Sequence, residues 1–269
     1  ISATRVALLP ANGSVTPLEW LNQLPAVFGS SPDATVGTCS DFVELNRGRP
    51  PASFAGRLVY AASPQVHDSD EVAIIQSLEG QDAAVETARA FAPAARIDVA
   101  PITLKPWRPS ERSAPTDERQ GTLFAAAWLM GSVLSLGSAG ADSLTYFECT
   151  GERGVLLRQD RDGAPTALPT LHVLSYLGES NRAPLVSCAS SDRTKIGAYC
   201  VRRGGGIETI LTNLTAQPQA VRIAGLPPGT YRSRILTAAG FADSAAVSPE
   251  ANSLELPPYA VAIVKAATR

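Results

Sequence analysis

Apolar and polar positions alternate along the first half of the chain in short β-type runs separated by helical segments. This pattern calls for parallel strands joined by crossover helices. Arg5-Val6-Ala7-Leu8-Leu9 reads as a strand, and Thr16-Pro17-Leu18-Glu19-Trp20 as the start of a helix with Thr16 at the N-cap and Pro17 at the first helical position. Ala34 to Leu45 is predicted as a second strand running into polar residues, and Gly56 to Ala62 as a third. A helix is expected over Ser69 to Phe91, broken near Gly80, followed by a fourth strand from Arg96 to Leu104. Asp117-Glu118-Arg119-Gln120 should open a long helix ending at Gly137 to Gly140, and Ser143 to Glu148 a fifth strand. After a short helix over Leu171 to Leu177 the texture changes. Alternating β segments with turn signals at Gly204-Gly205-Gly206, Pro227-Pro228-Gly229 and Ala239-Gly240 lead to a last strand near Tyr259 to Val264.

Two domains follow from this change of texture, 1–180 with the βα units and 181–269 with a small antiparallel β-sandwich. The first holds about five βα units, whereas a closed (β/α)-barrel needs eight strands in about 250 residues. An open remnant would leave a parallel edge uncovered. The expected fold is therefore α/β: the C-terminal portion of a (β/α)8 TIM barrel followed by the sandwich, with the missing N-terminal barrel half of the same protein as its partner. A smaller doubly wound open sheet is the alternative.

Composition narrows the function. At 45% hydrophobic and 18% charged residues the chain is ordinary for a folded protein, and a net charge of −2 supplies no basic field for nucleic acid. Leu123 to Leu136, the longest apolar stretch, is too short for a membrane span. Ile1 to Arg5 lacks the features of a signal peptide, so a preceding segment is expected. The four cysteines form no CxxC pair; Cys39 and Cys149 read as small strand hydrophobes, which points to a reducing, cytoplasmic setting, and pairing of Cys188 with Cys200 stays open. No ligand spacing calls for a metal, and no cofactor is implied. A small sugar-acid or carbohydrate substrate fits this balance.

Ligands of parallel α/β folds bind at the carboxyl ends of the strands, so polar residues there are the candidates. Period-two alternation of the second strand puts Glu44 and Asn46 on one side, and Arg47 begins a stiff Arg-x-Arg-Pro-Pro loop suited to holding a carboxylate. Ser63 to Asp70 follows the third strand and brings Gln65, His67 and Asp70; His67 is one of only two histidines, and Asp70 has a rival role as helix N-cap. Thr103 and Trp107 follow the fourth strand, the indole being suited to stacking on a sugar ring. Glu148 ends the fifth. Glu44, His67 and Glu148 are the expected catalytic groups, and Asn46, Arg47, Gln65, Asp70, Thr103 and Trp107 the expected substrate contacts. His172 is read as structural, and Gly204-Gly205-Gly206 as a turn only.

With these residues in view, the chain resembles the D-apionate lactonase family. The resemblance rests on Phe42-Val43-Glu44-Leu45-Asn46-Arg47, Pro64-Gln65-Val66-His67 with Asp70, and Pro101-Ile102-Thr103-Leu104-Lys105-Pro106. It continues through Asp117-Glu118-Arg119-Gln120, Phe124-Ala125-Ala126-Ala127-Trp128 and Thr145-Tyr146-Phe147-Glu148-Cys149-Thr150-Gly151. It covers roughly Arg5 to Gly178, and the β segment beyond agrees in type. It implies a glycosidase-like barrel that hydrolyses a sugar-acid lactone, with water activated by a carboxylate or histidine. A retaining glycosidase using Glu44 and Glu148, and a non-catalytic carbohydrate-binding scaffold, are the rival readings.

Overall fold

The structure is a computed structural model that describes residues 5–29, 33–106, 116–157, 163–180, 183–226, 229–247 and 253–266. It divides into two compact units, 1–116 with 135–147 and 117–134 with 148–269.

The first unit is built on five strands: β1 (Arg5–Leu8), β2 (Asp33–Asp41), β3 (Arg57–Ala62), β4 (Arg96–Ile102) and β5 (Ser143–Tyr146). All neighbouring pairs are parallel, and their order in the sheet, β1-β2-β3-β4-β5, is their order in the chain. A doubly wound sheet would reverse direction at a switch point. None occurs here, so the sheet winds one way, as barrel strands do. β3 is buried along nearly its whole length, as befits a parallel strand covered on both faces. Gly37 permits the closest approach in this sheet: a Cβ there would stand 2.0 Å from the Val59 carbonyl oxygen, at a backbone φ of 147°.

Several elements differ from their sequence-based expectation, each for a local reason. The chain leaves β2 at Asp41 and forms a helix, α2 (Phe42–Arg47), where a continuing strand is predicted; α1 (Leu24–Phe28) precedes it. In α2 the inward-facing positions are three apart: Leu45 is fully buried, and half-buried Phe42 meets the Tyr60 ring edge-on at 5.2 Å. Glu44 and Asn46, two residues apart, therefore diverge around the helix. Thr16 is no helix cap. It is buried, donates its hydroxyl to the Leu8 carbonyl and accepts from the Gly37 amide at 3.1 Å, and a 3-10 turn (Leu18–Gln23) follows instead of an α-helix. The expected break near Gly80 falls at Ser77, between α3 (Glu71–Gln76) and α4 (Leu78–Phe91), where the Ser77 hydroxyl donates to the Ile74 carbonyl at 2.7 Å. Asp117 caps only a 3-10 turn (Glu118–Gly121), and α5 (Leu123–Ser138) starts after extended Thr122.

The fifth strand also ends early. Phe147 adopts φ 54°, a left-handed conformation that a bulky side chain rarely takes, and its amide still donates to Ile102 at 3.0 Å. Glu148 then begins a new strand in another sheet.

In the second unit β6 (Glu148–Thr150), β7 (Gly154–Leu157) and β8 (Thr166–Ala167) form a small sheet, followed by α6 (Pro169–Glu179) with Pro169 in its first turn. Then come β9 (Leu185–Val186), β10 (Ile196–Arg203), β11 (Gly206–Asn213), β12 (Gln219–Arg222), β13 (Tyr231–Thr237), β14 (Gly240–Ala246), β15 (Ser253–Leu256) and β16 (Val261–Ala266). They pair antiparallel as a six-stranded sheet, β14-β13-β16-β11-β10-β9, and a two-stranded one, β12-β15. Leu211, Tyr231, Val247, Leu256, Ala262 and Val264 fill the core of this sandwich. His172 packs against Gly240, where an added Cβ would lie 3.4 Å from the imidazole.

Candidate functional site: a cleft at the carboxyl ends of the parallel strands

Residues following β1, β2, β3 and β4 wall a cleft of about 1020 Å³. Its floor is Ala61 and Ala62 at the end of β3, and its polar wall includes Asn12, Ser14, Ser40, Asp41, Glu44, Arg47, Ser63, His67, Asp68 and Thr103. Register slips mark the same end of the sheet: between Gly37 and Asp41 against β3, between Tyr60 and Ala62 against β4, and between Val99 and Ile102 against β5. Such irregularities re-aim side chains where a regular ladder would keep them in line.

Each wall is pinned from below. The turn after β1 is anchored to β2 by the Thr38 hydroxyl, which donates to the Gly13 carbonyl at 2.7 Å, and within it Asn12 accepts from the Ser14 amide and hydroxyl at 3.1 and 2.8 Å. Gly13, at φ 77°, lets this turn close on β2: a Cβ there would lie 2.4 Å from the Ser40 hydroxyl. Beyond β3, Ser63 and Gln65 both donate to the Leu104 carbonyl, at 3.1 and 2.8 Å, and Thr103 donates to the Lys105 carbonyl at 2.6 Å. The loops after β3 and β4 thus hold each other.

The structure gathers Glu44, Arg47, His67 and Thr103 on this one cleft. Glu44 sits on the exposed turn of α2 and accepts from Arg47 at 2.5 Å. His67 is exposed on the loop after β3 and also borders a shallower groove shared with Gln65 and Lys105. Beside it, the Asp70 and Ser69 amides hold the Asp68 carboxylate below the usual range. Asn46 is absent from the cleft wall; its side-chain carbonyl accepts from Arg49 at 3.0 and 2.6 Å. Asp70 takes the capping role, accepting from the Ala73 amide at 2.9 Å at the start of α3. Glu148 stands at the head of β6 in the second unit, ion-paired with Arg153, whose loop is turned back by Gly151 at φ 98°. Trp107 lies outside the described residues.

Asn12, Ser14, Ser40 and Asp68 are cleft residues that the sequence pattern does not single out. For Asn12 and Ser14 the only signal is their place just past the first strand; for Asp68 it is adjacency to His67. Among the described residues no three His, Cys, Asp or Glu side chains come together in a way that would hold a metal ion. A cleft with carboxylates, one imidazole, one guanidinium and several hydroxyl and amide groups suits a small polyhydroxylated ligand and proton transfer to or from water.

Residues 15–182 match the family described as D-apionate lactonase, TIM barrel domain, and residues 193–264 that described as D-apionate lactonase, C-terminal immunoglobulin-like domain. The chain belongs to the D-apionate lactonase family. Its parallel sheet is accordingly part of a TIM barrel domain, and the strands from β10 on belong to an immunoglobulin-like domain. A D-apionate lactonase from Brucella anthropi is 27% identical over 209 residues, which are 70% of this chain and 32% of that protein. The chain thus spans about a third of the length of this curated relative. Among solved structures, an endoxylanase of glycoside hydrolase family 30 from Clostridium papyrosolvens aligns over 94% of this chain and 61% of its own, with a TM-score of 0.58 at 12% identity. A conserved exported protein from Bacteroides fragilis aligns over 92% and 58%, with a TM-score of 0.60 at 11% identity. Likeness at these identities shows the fold alone.

Proposed function

We propose that this member of the D-apionate lactonase family contributes to hydrolysis of a sugar-acid lactone, with the cleft after β1 to β4 as the substrate site. The observation that carries this reading is the convergence of Glu44, His67 and Arg47 on one polar cleft at the strand ends of a barrel-type sheet.

Lactone hydrolysis adds water to the ring carbonyl carbon, passes through an oxyanion and then breaks the ring C–O bond, leaving a hydroxyl and a carboxylate. Glu44 or His67 takes the proton of the attacking water as it adds, and the protonated group returns it to the departing ring oxygen. Arg47, already beside Glu44, supplies positive charge for the oxyanion and for the carboxylate product. Asn12, Ser40 and Thr103 are the neutral groups for sugar hydroxyls.

The test is lactone hydrolysis by the complete protein carrying Glu44→Gln or His67→Asn, followed by acid release at constant pH. Loss of a general base is expected to lower kcat by about 100-fold or more. Near-normal turnover in both variants would overturn the assignment. The fold shared with one endoxylanase leaves a retaining glycosidase as the second reading. Release of aryl alcohol from aryl glycosides, without lactone hydrolysis, would favour it.

A further inference from the structure

We propose that Cys188 and Cys200 form a reversible disulfide that fastens the edge strand β9 to β10. This is independent of the lactonase reading.

β9 is a minimal edge strand. Its two residues pair antiparallel with β10, Val186 opposite Cys200 and Leu185 opposite Val201, supported by an Arg202 amide that donates to the Pro184 carbonyl at 2.9 Å. Cys188 lies two residues beyond Val186. Val186 is the direct cross-strand partner of Cys200, so the segment that leaves β9 toward Cys188 starts beside Cys200. Both thiols line one cleft of about 580 Å³, alongside Ile196, Ala198 and Leu211. Both thiols are free; Cys188 is exposed and interacts with Cys200, which is buried and donates its thiol to the Thr209 hydroxyl at 3.5 Å. Desolvation of the sulfur, with the Cys200 contact adding to it, pushes the Cys188 thiol up to about 11, so the thiolate fraction is small at neutral pH and exchange is slow.

The exchange balances with a small-molecule disulfide as oxidant. The exposed Cys188 thiolate attacks one sulfur of the oxidant, expels one thiol and forms a mixed disulfide. The Cys200 thiolate then attacks Cys188 Sγ and expels the second thiol. The protein loses two protons and two electrons, and the oxidant becomes two thiols. The new bond ties the end of β9 to the middle of β10 at the mouth of the cleft.

The full chain, with the other exposed thiol removed by Cys149→Ser, is incubated with oxidised glutathione under native conditions, quenched with acid and mapped by mass spectrometry. The expected result is a mass lower by about 2 Da, a Cys188–Cys200 linked peptide, free Cys39 and no retained glutathione. Adding Cys200→Ser should trap glutathione on Cys188, because the resolving thiol is gone. The cross-linked form should also melt several degrees higher, and a reductant should reverse the shift. Glutathione remaining on Cys188 when Cys200 is present, or no reaction at Cys188 in either protein, would overturn the proposal.

Discussion

Asp98→Asn should destabilise the parallel sheet strongly while leaving the cleft intact. Asp98 and Arg57 are 7% and 5% exposed, and the guanidinium donates to the carboxylate through two bonds, Nε to Oδ2 at 2.9 Å and Nη2 to Oδ1 at 2.5 Å. This bidentate contact with Asp98 outweighs burial and raises the pKa of Arg57 above its ordinary value. Two charged hydrogen bonds at about 1.5–3 kcal/mol each, with the arginine left charged and buried, set a loss of about 3–5 kcal/mol. The pair belongs to the amino-terminal half of the sheet. Arg57 begins β3, and Ala61, at the cleft floor, lies four residues on, about 13 Å at strand rise. Amide exchange of β3 and β4 is the assay, since it reports on this sheet without requiring both units to unfold together. The double replacement Arg57→Met with Asp98→Leu should recover most of the loss, because it removes both charges and retains the volume. A loss below about 1 kcal/mol for Asp98→Asn, or a double variant no more stable than the single one, would refute the reasoning.

Three further outcomes are expected. Tyr60→Phe should stabilise by about 1 kcal/mol, because the Tyr60 hydroxyl is buried and nothing among the described residues bonds it. Burial also raises the Tyr60 pKa, so relative to phenylalanine its effect is unchanged below the ordinary tyrosine pKa of about 10, and stability is lost as pH rises from there through the higher folded value; denaturation midpoints of Tyr60→Phe should decline less steeply than those of the unaltered chain as pH rises above about 10. Asp70→Ala should lower the stability of α3 by about 1 kcal/mol through loss of the bond to Ala73, read by amide exchange in that helix, and an unchanged rate would contradict the capping role. Asn213→Ala should be the more damaging change in the immunoglobulin-like domain: its fully buried amide donates to the carbonyls of Gln217, Leu256 and Pro257 and accepts from the Thr215 amide, and leaving these groups unpaired should lower urea stability by about 3 kcal/mol.

The run of apolar segments was enough to establish five parallel strands, their crossover helices and the change to antiparallel structure, because strand and helix periods are local properties of the chain. It also placed His67 just beyond a strand and Glu44 at the polar end of one, where ligands bind. What it left open was decided by contacts between distant residues. Strand order, which separates a barrel sheet from a doubly wound one, depends on which strands pair and leaves no local signature. Phe42-Val43-Glu44-Leu45 suits strand or helix by composition; packing of Phe42 on Tyr60 and burial of Leu45 select the helix, which keeps Glu44 at the cleft and sends Asn46 away from it. Asn12, Ser14 and Ser40 become site residues only because Thr38 and Gly13 bring the turn after β1 against the end of β2, a closure no local pattern encodes. Periodicity in the sequence thus determined the elements, and pairing between residues far apart in the chain determined which of their ends meet around the cleft.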